Sequence, residues 1–288
     1  MAKAKKQKHK KAGQEMSGAE TIVQVMKDEG VDTVFGYNGG AILPTYDAIF
    51  RWNDSNAKAP INLVVPANEQ GAVFMASGYS RATGEVGVAM VTSGPGATNC
   101  VTPVRDAFAD SVPLIVISGQ VARAVIGTDA FQEAPVFNLM SACAKHAFLV
   151  EEVEKLEATI RTAFHLARSG RPGPVVIDVP KDVQNWVGPY KSEGLLSLRG
   201  YQKRLDAIHK ARLQPEAAKD FYKLLKAAKR PLLYVGGGVI SSNASKQVRS
   251  FAKKFKLPSV STLMGLGAMD GTDDLSLNLL GMHGTAYA

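Results

Sequence analysis

The stretch VGVAMVTSGPGATNCVTPVRDAFADSVPLIVI, residues 86–117, carries the pattern that decides the fold. It opens with the apolar run 86–91 and closes with the apolar run 114–117, as strands buried on both faces do. Between them lie a loop of glycines and hydroxyls and a segment predicted to be helical from 97 to about 110. A strand, a helix and a second apolar strand predict a parallel sheet covered by helices.

The same alternation of strands and helices continues on both sides of this stretch. The capping-box pattern Ser17-Gly18-Ala19-Glu20 predicts a helix start, because its hydroxyl and carboxylate pair with otherwise unpaired amides. Further strands are predicted at 33–35, 61–65 and 175–179, and further helices at 41–52, 69–83 and 153–167. We therefore predict an α/β fold whose first domain, residues 14–184, is a doubly wound parallel sheet.

The periodicity weakens over residues 185–213, where glycine, proline and charge are mixed, and this segment is predicted to be a linker. A second α/β pattern follows over residues 214–288, with a helix to about residue 229 and a strand at 232–235. Because it contains only a few elements, we expect an incomplete second α/β domain.

The composition excludes several classes of protein. Of the 288 residues, 45% are hydrophobic, which supplies a sizeable core and excludes wholesale disorder. No apolar run approaches the roughly 18 residues of a membrane helix, and no signal-peptide pattern opens the chain. Cys100 and Cys143 are too few for a disulfide framework. We expect a cytoplasmic protein without membrane contact, and import into an organelle is not excluded.

The net charge of +8 is concentrated at the amino terminus, where the first eleven residues contain six lysines and no acid. Residues 1–13 are predicted to be a disordered basic tail. The remainder is nearly neutral, so we do not expect nucleic acid to be a partner.

Three loops that follow predicted strands are candidates for ligand binding, because ligands gather at the carboxyl ends of parallel strands. Gly36-Tyr37-Asn38-Gly39-Gly40 either admits a ligand close to the backbone or is a plain turn. Glu69 is either a capping acid or a buried acid that exchanges a proton with a ligand nitrogen. The loop 92–99 could cradle a phosphate or an aromatic ring edge, and it lacks the ending of an NTPase P-loop.

Several segments together resemble a known family, the thiamine-diphosphate-dependent acetolactate (acetohydroxyacid) synthase catalytic subunit. Five segments resemble the pyrimidine-binding domain of that family in order and spacing: GYNGGAILPTYDAI, NEQGAVFMASGYSRATG, VTSGPGATN, ISGQVARAVIGTDAFQE and GRPGPVVIDVPKDVQ. Three later segments of this chain are similar to the opening half of the family's central, FAD-binding domain: LLYVGGGV, TLMGLGAMD and LGMHGTAYA. The resemblance covers nearly everything from residue 17 to residue 288.

The resemblance implies the condensation of pyruvate with a second 2-oxo acid, pyruvate or 2-oxobutyrate, in branched-chain amino-acid biosynthesis. It makes Glu69 the acid that hydrogen-bonds a ring nitrogen of the cofactor's aminopyrimidine and favours the imino tautomer. Gln132 is the second implied catalytic residue, and Phe131 would lie beside the substrate. The other residues implied to line the pyrimidine site are Gly39, Gly40, Thr92, Pro95 and Asn99.

The resemblance also implies a bound FAD. Arg171 would suit its diphosphate, and the glycines would allow close approach of the backbone. The other residues implied on the flavin side are Gly236, Gly237, Gly238, Thr262, Leu263, Met264, Met282, His283 and Gly284. Other roles stay open for some residues: a core position for Phe131, a surface ion pair for Arg171 and a plain loop position for His283.

The family's third domain binds the cofactor's diphosphate through Mg²⁺, with a Gly-Asp-Gly-type stretch that does not occur here. We therefore expect a fragment that is inactive alone, with the Mg²⁺ ligands in the missing domain. Because the family's site forms between two subunits, the resemblance implies a homodimer or a larger assembly, and it leaves a small regulatory subunit open. The alternatives are a non-catalytic FAD-binding or regulatory remnant, and another decarboxylase or carboligase of the same superfamily.

Overall fold

The computed structural model describes residues 12–192 and 194–288. The chain divides into two compact units between His209 and Lys210. The strands of the first unit are, in chain order, β1 (Glu15–Ser17), β2 (Thr33–Gly36), β3 (Asn62–Val64), β4 (Gly87–Val91), β5 (Leu114–Gln120), β6 (His146–Leu149), β7 (Pro174–Pro180) and β8 (Val187–Pro189). Its helices are α1 (Gly18–Asp28), α2 (Leu43–Ser55), α3 (Glu69–Thr83), α4 (Pro95–Thr98), α5 (Val101–Ala109), α6 (Val136–Cys143), α7 (Leu156–Arg168), α8 (Lys181–Asn185) and α9 (Tyr201–Lys210), whose last residue starts the second unit.

Six strands of the first unit form one parallel sheet in the order β3-β2-β4-β5-β7-β6. From β2 the chain moves outward to β3, whereas from β4 it moves the other way to β5. The strand order therefore reverses between β2 and β4, and the connections from these two strands lead to strands on opposite sides. Such a reversal opens a crevice at the carboxyl ends of the strands.

Helices cover both faces of this sheet because its central strands are apolar on both sides. All residues of β4, β5 and β7 are buried. On one face, Ile115 and Ile177 pack with α1, α2 and α7. On the other face, Val116 and Val176 pack with α3, α5 and α6. The predicted α/β class and the parallel sheet of the first domain are confirmed.

The predicted helix over 97–110 is wrong in one respect, because it is broken in two. α4 ends at Thr98 and α5 begins at Val101. Pro103 has no N–H to donate to the carbonyl of Asn99, four residues earlier, so one hydrogen bond of a continuous helix is missing there. Asn99 therefore lies at the break between the two helices, where its side chain is free to reach across the loop.

The segment predicted as a linker, 185–213, contains regular structure. β8 pairs antiparallel with β1, and α9 fills much of the remainder. Of the predicted basic tail, residues 1–11 lie outside the described residues, and Gly13 donates its N–H to the carbonyl of Tyr190 at 2.8 Å. Backbone pairing between strands distant in sequence leaves little local pattern, which is why periodicity did not predict the pairing of β1 with β8.

The second unit contains α10 (Pro215–Ala227), β9 (Leu233–Val235), α11 (Gly237–Ser241), α12 (Ser245–Phe255), β10 (Ser259–Ser261) and β11 (Ser276–Leu279). Its three strands form a parallel sheet in the order β11-β10-β9. A small apolar core of Val235, Ala252, Ala268 and Met269 lies against this sheet.

None of the helices in the described parts of the chain is long and apolar enough to cross a bilayer.

Candidate functional site

The crevice between β2 and β4 is lined by the three loops that the sequence indicated. The turn after β2 and helix α2 are both held to β4. The N–H of Tyr37 donates to the carbonyl of Met90 at 3.1 Å, and the buried Tyr46 hydroxyl donates to the same carbonyl at 3.2 Å. The start of α3 brings Glu69 to the same place.

Gly39 and Thr92 form one wall of this crevice. A Cβ on Gly39 would lie 2.5 Å from the Thr92 Cβ, so the threonine packs directly against the glycine backbone. The Thr92 hydroxyl accepts a hydrogen bond from the N–H of Ala41 at 3.3 Å. A Cβ on the next residue, Gly40, would meet no atom within 4 Å. The turn is therefore closely packed at Gly39 and open at Gly40.

Glu69 is the first residue of α3, and it is buried, with 9% of its surface exposed. The capping role belongs to its neighbour, since the Asn68 side chain accepts the Gly71 N–H at 2.8 Å. The Glu69 Oε2 atom instead accepts a hydrogen bond from Asn99 Nδ2 at 2.9 Å. A Cβ on Gly96 would lie 3.3 Å from the Oε1 atom of Glu69. Glu69 thus has the geometry of a buried acid rather than of a helix cap.

The groups beneath this carboxyl are shielded from water. Burial raises the pKa of the Cys100 thiol, and the negative charge of Glu69 adds to that rise. The pKa of the Tyr46 hydroxyl is raised by the same two causes, burial being the larger. Both groups therefore stay neutral near Glu69.

Pro95 and Asn99 complete the loop after β4. Pro95 is exposed at the start of α4, and its carbonyl accepts the Asn99 N–H at 3.2 Å. This backbone bond turns Asn99 back over the loop, toward Glu69. Of the residues implied to line the pyrimidine site, the structure brings together Gly39, Gly40, Thr92, Pro95 and Asn99, and Asn99 binds Glu69.

Gln132 reaches this loop through its backbone. It has a left-handed φ of 59°, and a Cβ on Gly94 would lie 2.4 Å from its carbonyl oxygen. Phe131 is 88% exposed, so the alternative of a core position for this ring is wrong. The segment that carries both residues therefore lies against the crevice with its phenyl ring in solvent.

Arg171 lies just before β7, at the amino ends of the sheet strands and thus away from the crevice. Its guanidinium donates to the Ser111 hydroxyl at 2.7 Å and to the carbonyls of Phe108 and Ala109 at 3.3 and 2.9 Å. A cation is favoured at a helix carboxyl terminus, so Arg171 closes the end of α5. These contacts differ from the surface ion pair considered as an alternative, and the structure does not bring Arg171 together with Glu69.

The second unit brings its own candidate residues together at the carboxyl ends of its three strands. Gly236, Gly237 and Gly238 follow β9, while Thr262, Leu263 and Met264 follow β10. A Cβ on Gly237 would lie 2.9 Å from the Met264 Cβ, so these two loops touch. Met282, His283 and Gly284 follow β11 at the same edge, and Met282 and His283 are exposed.

Within residues 12–192 and 194–288, no group of three or more His, Cys, Asp or Glu side chains converges where a metal ion could be held.

Several buried polar groups at the carboxyl ends of β5 and β7 were not predicted from the sequence. Gln184 donates to the carbonyl of Ala41, in the turn after β2, at 2.7 Å. Gln120 donates to Asp178 Oδ2 at 2.9 Å and to the carbonyl of Ala134 at 3.0 Å. Burial raises the pKa of Asp178 to about 7, although hydrogen bonds from Gln120 and Ser118 oppose that rise. An amide whose partners are distant in the chain has no local sequence signature.

Two family descriptions match the chain. "Thiamine pyrophosphate enzyme, N-terminal TPP binding domain" matches residues 16–142, and "Thiamine pyrophosphate enzyme, central domain" matches residues 218–288. The first match includes every loop of the crevice described above, and the second includes the three loops of the second unit.

Curated relatives extend this similarity along nearly the whole chain. The chain is 46% identical to the acetolactate synthase large subunit of Haemophilus influenzae over 275 residues, which are 95% of this chain and 46% of that protein. The figures are the same for the acetolactate synthase isozyme 3 large subunit of Escherichia coli. For the chloroplastic acetolactate synthase 2 of Nicotiana tabacum, identity is 46% over 94% of this chain and 39% of that protein.

The chain thus spans less than half the length of these relatives. The two family matches and the continuous similarity lead to one conclusion. The chain belongs to the thiamine pyrophosphate enzymes and carries their N-terminal TPP-binding domain and central-domain sequence.

Proposed function

We propose that this chain provides the pyrimidine side of an acetolactate synthase site, which condenses pyruvate with a second 2-oxo acid, pyruvate or 2-oxobutyrate. The observation that carries the proposal is the buried Glu69 carboxyl, held by Asn99 at the point where the strand order reverses. The similarity to acetolactate synthase large subunits over 95% of the chain supports the choice of reaction.

Glu69 would exchange a proton with a ring nitrogen of the cofactor's aminopyrimidine. Asn99 donates to Oε2, so Oε1 is left for the ligand. Thiamine diphosphate, when bound, supplies the carbon nucleophile and the electron sink that decarboxylation and carbon–carbon bond formation require. Burial of Glu69 strengthens the interaction, because a charge or dipole in a site shielded from water is screened less.

The glycines around Glu69 support a flat aromatic ligand. A side chain at Gly96 would fill the space beside Oε1, and a side chain at Gly39 would collide with Thr92. Gly40 and Pro95 stand open on the solvent side of the same loops. The residues present therefore fit an aminopyrimidine ring, held between the turn after β2 and the loop after β4.

Gln132 and Phe131 would face the 2-oxo acid. The support for this role is their position on the segment that packs against Gly94, next to the loop that carries Asn99. The exposed Phe131 ring would bury apolar surface by covering an apolar group of the substrate.

FAD would bind at the edge of the second unit's sheet, against the loops after β9, β10 and β11. The contact between Gly237 and Met264, and the open space at Gly238, are compatible with an extended ligand lying on the backbone. Arg171 remains a predicted contact of its diphosphate. Flavin absorbance of the purified chain after incubation with FAD tests this, and an unchanged flavin spectrum would contradict it.

The described residues do not fit Mg²⁺, because no cluster of acids converges in them. We propose that the ligands of the metal come from the portion of the relatives that this chain does not match. A homodimer is supported by Phe74 and Met75, which are 41% and 46% exposed on α3, the helix that begins with Glu69. A small regulatory subunit stays a prediction.

A chimaera tests the proposal. This chain replaces the matching 275 residues of the Haemophilus influenzae protein, and acetolactate formed from pyruvate, thiamine diphosphate and Mg²⁺ is measured. We expect turnover in the chimaera and a loss of about a hundredfold or more in Glu69→Gln, the scale of a lost acid–base group. Glu85→Gln, at an exposed glutamate, is the control. Wild-type turnover in Glu69→Gln, or a folded chimaera that forms no acetolactate, would overturn the assignment.

A further inference from the structure

Gln184 is a fully buried amide at the end of the first unit's sheet. It lies on α8, just after β7, and none of its surface is exposed. Its Nε2 atom donates to the carbonyls of Ala41 at 2.7 Å and Val179 at 3.0 Å. Its Oε1 atom accepts a hydrogen bond from the Thr45 hydroxyl at 2.9 Å. One side chain thus joins the turn after β2, helix α2 and the end of β7.

The backbone of Ala41 is held at both its N–H and its carbonyl. Gln184 binds its carbonyl, and Thr92 accepts its N–H at 3.3 Å. Gly119 comes so close that a Cβ on it would lie 2.6 Å from the Ala41 carbonyl carbon. The Ile42 N–H closes the turn by donating to the carbonyl of Gly39 at 3.1 Å. The position of Gly39 and Gly40 therefore depends on where Gln184 holds Ala41.

The orientation of the Gln184 amide is determined by its partners. Two carbonyls require an NH₂ group on one side, and the Thr45 hydroxyl, which donates, requires an oxygen on the other. A side chain without NH₂ would leave the carbonyls of Ala41 and Val179 buried with one partner fewer, which costs free energy. The turn would then relax away from Thr92.

We propose that Gln184 is a positioning residue, which sets the turn of Gly39, Gly40 and Ala41 and thereby the width of the crevice that faces Glu69. The effect on the aminopyrimidine rests on the proposed function, whereas the effect on the turn does not. Gln184 touches neither Glu69 nor the open side of the crevice, so it acts through the turn alone.

Amide hydrogen exchange on the 288-residue chain tests the effect on the turn. Gln184→Met keeps the length of the side chain and removes its donors, and Gln184→Glu keeps the acceptor for Thr45 but also removes the NH₂ group. In both we expect the Ala41 and Ile42 amides to exchange about tenfold or more faster, the factor that corresponds to one buried hydrogen bond. The core amide of Val116 should be unchanged. Gln24→Met, on α1, is the matched control.

The chimaera tests the effect on the site. We expect Gln184→Met to raise the KM for thiamine diphosphate about tenfold, while kcat changes less than about threefold, because the reacting groups remain in place. An inactive chimaera contradicts the proposed function, and the exchange measurement still decides the role of Gln184. Unchanged exchange at Ala41 and Ile42 in both variants would overturn the inference.

Thr45→Val covers the case in which neither Gln184 variant folds. It removes only the hydroxyl that orients the amide, and it keeps the shape of the side chain. We expect exchange at Ala41 to accelerate in this variant, by less than in Gln184→Met. Exchange equal to that of the unaltered chain would show that the orientation of Gln184 does not control the turn.

Discussion

The side-chain amide of Asn99 donates a hydrogen bond of 2.9 Å to the Glu69 carboxylate, across thirty residues of sequence. Glu69 begins the helix after β3, whereas Asn99 lies at the break between α4 and α5. The bond joins two loops that leave the sheet on either side of the crevice. It occupies one of the two carboxylate oxygens, Oε2.

Removal of this donor should weaken the site without unfolding the chain. In the chimaera we expect Asn99→Ala to lower kcat/KM about tenfold, because one hydrogen bond to a carboxyl group is worth about 1.5 kcal/mol. Thr98→Ala, which removes a neighbouring hydroxyl that binds the carbonyl of Pro95, is the control. Equal kinetics in the two variants would show that Asn99 does not act on Glu69.

The space beside Glu69 should not tolerate a methyl group at Gly96. A Cβ there would lie 2.8 Å from Thr92 Cγ2 and 3.3 Å from Glu69 Oε1. We expect Gly96→Ala to lower the free energy of unfolding by about 1–3 kcal/mol, the usual cost of overpacking. Gly78→Ala, on α3 with no atom within 4 Å of the new Cβ, should be stabilising by up to about 1 kcal/mol. Urea unfolding of both variants measures this, and equal stabilities would contradict it.

The contact between Gly94 and Gln132 should also be disrupted by a methyl group at the glycine. Gly94 has a φ of +54°, and a Cβ on it would lie 2.4 Å from the Gln132 carbonyl oxygen. Gly84 has a φ of +78° with no atom within 4 Å, so Gly84→Ala should cost only the backbone strain of about 1–2 kcal/mol. We expect Gly94→Ala to cost more than Gly84→Ala in thermal or urea unfolding. The opposite order of stabilities would show that the Gln132 segment moves away from the new methyl group at little cost in free energy.

The ionisation of Asp178 should make stability depend on pH in an unusual direction. Burial raises its pKa from 3.8 to about 7, so between about pH 4 and pH 7 the folded chain keeps a proton that the unfolded chain has lost. Its contribution to the free energy of unfolding therefore falls as the pH rises through this range, and levels off above it.

Asp178→Asn removes this contribution. We expect the stability of the variant, relative to the unaltered chain, to increase steadily from pH 4 to pH 7 and then to stay constant. Urea unfolding at several pH values measures the difference, with Asp54→Asn at an exposed position as the control. Parallel curves for the unaltered chain and Asp178→Asn would be incompatible with a raised pKa.

Much of the fold followed from patterns that are local in the chain. The Ser17–Glu20 capping box is present, with bonds of 2.7 and 3.1 Å, and α3 has the predicted bounds. These elements were predictable because apolar periodicity and caps depend on residues only a few positions apart. The break at Asn99 was missed, although Pro103 was its local signal.

The sequence alone identified the three loops of the crevice, and the resemblance singled out Glu69 and Asn99 within them. The residue pattern by itself left open whether Glu69 caps a helix or faces a ligand, because both roles place an acid in the first turn. The tertiary structure decided the cap, since Asn68 caps α3 and Asn99 binds Glu69. It alone revealed Gln184, whose partners Thr45 and Ala41 are 139 and 143 residues away. Buried polar groups take the partners that folding brings within reach, and no local pattern records those partners.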